Sequence, residues 1–450
     1  MKIKFGIGRK CINPEVPISL AGYFNKRMWD KVLDDIEVRV AVFKGDEGEF
    51  AFVHFDILSI SYPFYCDVLS ALQAKYPQFK EENVLISAIH THTAPDINNC
   101  PTSAEYRKFA AERAADALQT AMENMEDGEV YTAMAQDARF QFNRRYWMKD
   151  GSVLTNPGKL NPEIDRPEGA IDPQIPIIAI KNSEGIKLLM ASIVNHTDTI
   201  GGCGVSADWS GFMRRELEPE MAPGAMVMSL IGCAGNINHF DVTTDMDQTC
   251  YAEPERIGKG YAETIRKVWN DLTPVKDGKF GFDSAISVSA PREISPEEVR
   301  DAQAVMDKYP DVDINAGGDL TSEDLAKKTP VVLKFFAEKL LAIANSTFNP
   351  TFRLSLLKFG DDVVIASLPS EPFVEIGLNL RKSIFHGKHC LVCSHGNYNG
   401  GGHFIGGYIP NSWNYGRGGY ETTPRSSGYS ERTADVLLES WRKLAAAQER

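Results

Sequence analysis

Four short runs in this chain are almost wholly apolar: VLISAI at 84–89, IPIIAI at 175–180, MVMSLI at 226–231 and VVIASL at 363–368. Each is too short for a typical helix and is bounded by polar or turn residues, so each reads as a strand of a buried sheet. Helical patterns flank the first of them, at Tyr65 to Lys75 before it and from about Ala104 to Met125 after it, the second with Ser103 at its N-cap. Strand alternating with helix predicts an α/β fold, a mixed β-sheet core flanked by helices.

The remaining pattern fits this scheme. KFGIGRKCI opens as a strand, and VRVAVF and FAFVHFDI form a hairpin across Gly45 to Gly48. IPIIAIKN pairs with IKLLMASIVNH around Ser183 to Gly185, and FRLSLLKFG leads back into VVIASL. Residues from about 295 to 346 are helical in pattern, interrupted by a turn at Asn315 to Gly318, and form an excursion from the sheet. A glycine-dense loop, HGNYNGGGHFIGGYIPNSWNYGRGGYE, precedes a last helix from about Ser430 to Ala447; it lacks a P-loop or dinucleotide fingerprint and reads as a loop presenting aromatics and asparagines. No repeat or linker divides residues 1–450, which predicts a single domain. Cys390 and Cys393 match C-x-x-C, but in a strand positions three apart face opposite sides, so packing is expected there rather than redox or zinc chemistry.

Charge narrows the function. A net charge of -13 opposes binding to nucleic acid, which requires clustered Lys and Arg. No apolar stretch approaches the roughly 18 residues of a membrane span, and MKIKFGIGRKCINPEV lacks a signal-peptide core, so a cytoplasmic chain with a small-molecule partner is expected.

Polar residues gather where the apolar runs stop. VLISAI ends at His90 and His92, which in extended chain point to one side and can share a cavity. Such a pair can bind a metal together, divide ligand and proton-transfer roles, or simply be hydrogen-bonded. Two other metal families fit less well: a binuclear H-x-H-x-D-H site would need ligands where Ala94 and Pro95 stand, and an amidohydrolase barrel would need eight regular βα units, which cannot be counted in this pattern. IVNHTD ends a second strand at His196, with Asp198 placed to orient a neighbour. SADWSGFMRREL starts a helix capped by Ser206 or Asp208. In LIGCAGNINHFD, small residues allow close ligand approach, Asn236 and Asn238 offer hydrogen bonds to a substrate, and His239 is a rival metal ligand. ASLPSEPF places Glu371, a possible zinc ligand, after a third strand.

In their order, GIGRKCINP with LAGYFNKR, SAIHTHTAP, FNRR, NHTDTIG with SADWSGF, GCAGNIN, LPSEPF, and GGYIP with GGYE, the chain resembles the amino-terminal catalytic domain of the neutral ceramidase family. The resemblance implies one zinc ion (Zn2+) held by His90, His196, Glu371 and Tyr408, with His92, Arg144 and Tyr420 beside the reacting group. It implies hydrolysis of an amide or ester, His92 moving a proton and Tyr420 or Arg144 stabilising an oxyanion. The chain has Gly235-Asn236-Ile237-Asn238-His239 where the family has G-D-x-S-P, and the family's carboxy-terminal β-sandwich is not expected after Tyr420. The Asn, Gly, Arg and His around the site suit a hydroxylated or carbohydrate-like substrate better than ceramide. Two alternatives remain at this point: a zinc-dependent carbohydrate-active hydrolase or lyase, and a non-catalytic binding homologue.

Overall fold

The structure, a computed structural model, describes residues 1–23, 26–314, 327–401 and 406–447. Its larger sheet contains β1 (Lys2–Cys11), β2 (Glu37–Gly45), β3 (Gly48–Phe55), β4 (Val84–Ala88), β5 (Glu126–Gln136), β6 (Gln174–Asn182), β7 (Gly185–Ile193) and β8 (Met226–Ile231), ordered β8-β7-β6-β5-β1-β2-β3-β4. Helices α1 (Tyr62–Lys75), α2 (Ser103–Glu123), α3 (Asp208–Leu217) and α4 (Ala252–Lys267) interleave with these strands. Strands β9 (Phe280–Val288), β10 (Thr351–Phe359), β11 (Val363–Ser367) and β12 (His389–Cys393) form a second sheet in chain order. Most neighbours are antiparallel, but β3–β4, β7–β8 and β11–β12 are parallel pairs.

Apolar runs form here because both faces of each central strand are covered. Side chains alternate along a strand, so a run without polar interruption needs a partner on each side. In β2, Val38, Val40 and Val42 join one core cluster with residues of α1 and α2, whereas Ala41 and Phe43 join another. That second cluster also holds Leu357, Phe359, Ile365 and Leu391, so the two sheets pack face to face. A third cluster sets Leu354, Leu356, Val364 and Val392 against Leu437, Leu438 and Trp441 of the last helix, Thr433–Ala447. The mixed sheet flanked by helices is therefore split in two, giving four layers: helices, sheet, sheet, helices. Cys390 and Cys393 obey the alternation, one in the third cluster and the other in the second, and burial pushes both thiols up to about 12.

Close packing of α2 on β1 requires glycine. A Cβ at Gly6 would sit 1.9 Å from the Ala121 carbonyl oxygen and one at Gly8 would sit 2.1 Å from that of Ala117. The helix begins one residue earlier than the sequence suggests: Thr102 occupies the N-cap, while Ser103 Oγ accepts from Cys100 N and donates to Asp96 O. Two further helices, Pro296–Lys308 and Pro330–Ala344, form the excursion between β9 and β10; the expected turn at Asn315 to Gly318 lies outside the described residues. No described helix is long and apolar enough to cross a membrane.

The larger sheet curls until its ends meet. His54 of β3 donates through Nε2 to Ser229 O of β8 at 3.0 Å and accepts at Nδ1 from Ser87 Oγ of β4 at 2.7 Å. Arg39 of β2 reaches Val227 O of β8 at 2.9 Å. The segment after β12 joins the two edges: Ser394 N donates to Ile231 O of β8, and Asn397 N donates to Ile86 O of β4. The carboxyl ends of β4, β7, β8 and β12 are thereby gathered in one place.

Arg214 of α3 fastens this arrangement through two 2.6 Å hydrogen bonds to Asp56 at the end of β3, both side chains being buried. Removing one partner strands the other charge, at a cost of about 3–5 kcal/mol. Arg214→Ala should therefore lose about that much unfolding free energy in urea melts, and Arg214→Met with Asp56→Asn should lose much less. A loss in Arg214→Ala within error of zero would show that the pair does not hold the helix to the sheet.

Candidate metal centre

Beyond β4 the chain does not stay extended. His90 adopts φ 66°, a left-handed conformation that costs a non-glycine residue about 1–3 kcal/mol. The next residue, Thr91, forms a parallel bridge with Thr197, supported by His92 N donating to Thr197 O and Thr197 Oγ1 donating to Ile89 O. Two strand-end segments are thus zipped together, which sets His90 against His196 with Nε2 atoms 3.1 Å apart. His92 Nε2 lies 3.3 Å from His90 Nε2, so the two histidines of H-T-H do turn to one side, but through a kink and a bridge rather than strand alternation.

The hydrogen bonds on the far side of each ring define its near side. His90 Nδ1–H donates to Leu58 O at 2.9 Å, and His196 Nδ1–H is shared between Ala234 O and Ile237 O, each at 2.9 Å. In a neutral ring this arrangement leaves the lone pair on Nε2, as in metal-ligating histidines fixed by a carbonyl. Burial, reinforced by neighbouring charge, holds His92 and His196 below the usual imidazole range. Glu371 Oε2 faces the same point, 3.3 Å from His90 Nε2 and 3.5 Å from His196 Nε2. Burial acts against the Glu371 charge, yet the imidazoles outweigh it and hold the carboxyl well below its ordinary value. Its Oε2 is buried and accepts no hydrogen bond from the described residues. Converging lone pairs repel one another unless a cation sits between them, so this donor set fits a metal ion.

Glu371 is held by several local contacts. Ser370 has φ 55° and its hydroxyl meets Tyr429 Oη at 2.6 Å. Gly235 N donates to Pro372 O, and Val374 N donates to Asn236 Oδ1 at 2.8 Å. A Cβ at Gly235 would lie 2.4 Å from Glu371 O. The small residue of GCAGNIN therefore admits the Glu371 backbone, where the sequence suggested a ligand. Asn236 also donates to Glu375 Oε2, and Asn238 donates to Asn156 Oδ1 and accepts from Phe240 N. Both amides are engaged within the protein, and neither lines the cavity that opens at the site.

Backbone pairing of Glu371–Pro372 with Tyr408–Ile409 puts Tyr408 directly opposite Glu371. Tyr408 Oη lies 2.9 Å from Tyr420 Oη, and the Arg144 guanidinium is 5.0 Å and 5.4 Å from the two ring centroids. Arg144 is anchored by Nε to Glu421 Oε1 at 3.0 Å and by Nη2 to Gly235 O at 2.7 Å. Burial opposes its charge, but Tyr408, Tyr420 and Glu421 outweigh that and raise its pKa. Burial pushes the Tyr420 phenol up to about 12.

Two histidines differ from expectation. His239, the rival ligand, faces elsewhere: Nε2 donates to Gln248 O at 2.7 Å and Nδ1 lies 3.3 Å from Asp198. Asp198 does orient a neighbour, but that neighbour is His239. Conversely His395, to which the sequence analysis gave no role, stacks on His90 with centroids 4.1 Å apart and an interplanar angle of 20°. The available signal was the same one that marked His90 and His196, a histidine just past an apolar strand, here CLVCSH. The helix that begins within SADW is N-capped by Ala207, although Ser206 Oγ accepts from Asp208 N and the Asp208 carboxylate accepts from Thr199.

A cavity of about 710 Å3 opens over the cluster, with His92, Tyr408 and Tyr420 in its lining and Val331 and Phe335 of the excursion in its wall.

No protein-family model matches the chain, and no curated protein matches it in sequence. Solved structures share its fold, two ceramidases among them. The neutral ceramidase from Pseudomonas aeruginosa superposes with a TM-score of 0.71 at 15% identity, covering 99% of this chain and 75% of the other. A ceramidase complexed with C2 gives a TM-score of 0.71 at 15% identity, covering 100% of this chain and 75% of the other. The fold expected from the ordered motifs is the fold observed.

Because His395 supports the face of His90, His395→Ala should weaken zinc binding by about tenfold, measured by competition with a chromophoric chelator. An unchanged affinity would reduce the stacked ring to a packing role.

Proposed function

We propose that the chain is a zinc-dependent hydrolase that cleaves an amide (N-acyl) or ester bond in a polar small molecule. The observation that carries this reading is the convergence of His90 Nε2, His196 Nε2 and Glu371 Oε2 on one point, next to His92 and Tyr408, which line the cavity. These three groups, with Tyr408 opposite Glu371, would hold the ion. When bound, zinc supplies Lewis acidity towards a carbonyl oxygen and makes hydrolysis by water feasible at neutral pH.

The other roles belong to the chain's own side chains. His92 lines the cavity, is neutral under its burial, and its Nδ1 accepts no hydrogen bond from described residues, so it can take a proton and return it to a leaving group. Tyr420 keeps its proton at neutral pH and points its hydroxyl into the cavity region beside Tyr408, where it can donate to an oxyanion. Arg144 contributes positive charge behind both phenols and orients them through its rigid anchorage to Glu421 and Gly235. Asn236 acts at one remove, fixing the segment that carries Glu371.

A different division of labour is favoured by one distance. His92 Nε2 approaches His90 Nε2 almost as closely as His196 does, and the three imidazole nitrogens lie within 4.8 Å of one another. In this second reading all three histidines are ligands, and proton transfer falls to another group.

Metal analysis after zinc loading separates the two. His90→Ala and His196→Ala should each lose about one zinc equivalent, while His92→Ala should keep the metal and lose kcat/KM by a factor of about 100–10,000 on an N-acyl or O-acyl substrate. Loss of zinc from His92→Ala would establish the three-histidine site. A wild-type protein that takes up no zinc would end the hydrolase proposal.

A further inference from the structure

The motif LAGYFNKR supplies none of the converging donor atoms, yet it lies against His92. Its ends pair, Leu20 with Arg27, and the flanking Ser19 pairs with Met28. Leu20 also bridges Pro95 in the antiparallel sense, Ala21 N donates to Ala94 O at 2.9 Å, and Asp96 N donates to Ser19 O at 2.7 Å, so this hairpin is laid along the chain that follows H-T-H. Between its ends the backbone turns through Gly22 at φ 95°. A Cβ there would lie 2.5 Å from His92 Nδ1 and 2.6 Å from Cγ, so the approach belongs to glycine. Tyr23 meets the same imidazole in a T, with ring centroids 5.5 Å apart. Arg27 ties the parts together: Nη2 donates to His92 O at 2.6 Å and to Ala21 O at 2.8 Å, Nη1 donates to Gly202 O at 2.7 Å, and the guanidinium lies 3.9 Å from the Tyr23 ring centroid.

His92 differs from the other two histidines in how its ring is held. Nδ1 of His90 and of His196 is fixed by backbone carbonyls, whereas Nδ1 of His92 is buried and meets no hydrogen-bond partner among the described residues. A buried polar atom left unpaired is costly and uncommon, so its place is set by something other than a hydrogen bond. Here that something is contact, with the Gly22 backbone on one side and the Tyr23 ring on another. Placement of this kind carries weight in catalysis, because a displacement of about 1 Å costs a reacting group about a hundredfold in rate.

We propose that Gly22 and Tyr23 are positioning residues for His92: the LAGY turn, tied down by Arg27, fixes the imidazole by contact in the place from which it transfers a proton. This rests on the reading of His92 as the proton-transfer group of a hydrolase, and it gives a task to a motif that lends the metal no ligand. Gly22, Tyr23 and His92 all line the cavity, so the imidazole that the turn places is open to a substrate.

Steady-state kinetics of the zinc-loaded full chain on p-nitroacetanilide, together with nitrogen NMR of histidine-labelled protein, test this. Gly22→Ala should lower kcat by about a hundredfold, with KM within about threefold and zinc content unchanged. The same change in a His92→Ala background, where the new Cβ enters vacated space, should lower the residual rate no further. Tyr23→Ala should lower kcat by about tenfold, and Tyr23→Phe, which keeps the ring, should recover most of that loss. The His92 ring signals, assigned by their absence from His92→Ala, should move in Gly22→Ala and in Tyr23→Ala. Zinc loss from Gly22→Ala, His92 signals that stay in place, or a Gly22→Ala loss that persists in the His92→Ala background would overturn the proposal. Should Gly22→Ala fail to fold, Tyr23→Ala and Tyr23→Phe decide the matter by the same two readouts. NMR does not read hydrolysis, so a protein whose His92 signals move as expected but which cleaves neither the anilide nor any other N-acyl or O-acyl bond would leave the placement of His92 standing and refute the hydrolase.

Discussion

The parallel bridge between Thr91 and Thr197 is the contact on which the site depends. Its two segments leave β4 and β7, strands that lie at an edge and next to the opposite edge of the larger sheet. In a flat sheet of this order those strand ends would be several spacings of about 4.8 Å apart. Curling brings them together, and the hydrogen bonds of Ser394 and Asn397 to the two edges hold them there. The geometry of the candidate metal centre is therefore a property of sheet closure before it is a property of any loop.

The closure also accounts for the buried polar residues of the larger sheet. His54, Arg39 and Asp56 lie on β2 and β3 or at their end, and each reaches a partner on β8 or α3. Buried polar groups are tolerated when hydrogen-bonded, and here those bonds span elements far apart in strand order. The same logic operates at smaller scale around Glu371, whose strained neighbour Ser370 is held by Tyr429 and whose downstream amide is held by Asn236.

Much of this was legible in the sequence. Unbroken apolar runs marked the strands covered on both faces, and the polar residues at their ends marked where the strand termini converge. Strand alternation separated Cys390 from Cys393 correctly. Other features depended on information that spacing does not carry. The split into two sheets follows from which faces meet, and both sheets have the same local pattern. His90 and His92 face each other for a reason that periodicity could not supply, a left-handed residue followed by a long-range bridge. Asn236 looked like a ligand for substrate because an amide next to glycine can serve either a substrate or a backbone, and only the approach of Glu371 O to Gly235 tells them apart. His395 stands at the start of a glycine-dense loop, whose composition hides a histidine that the end of its strand fixes against His90.

The helices Pro296–Lys308 and Pro330–Ala344 interrupt what is otherwise a hairpin. Strands β9 and β10 pair along their whole length, from Phe280 with Phe359 to Val288 with Thr351, so the sheet needs nothing from the chain between them. That chain nevertheless builds a wall of the cavity. An insertion between already registered strands can lengthen, shorten or change its side chains without moving the histidines or Glu371. The cavity wall and the candidate metal centre are therefore built by parts of the chain that do not constrain each other, so the shape of the cavity and the convergence of the donor atoms are separable properties of this fold.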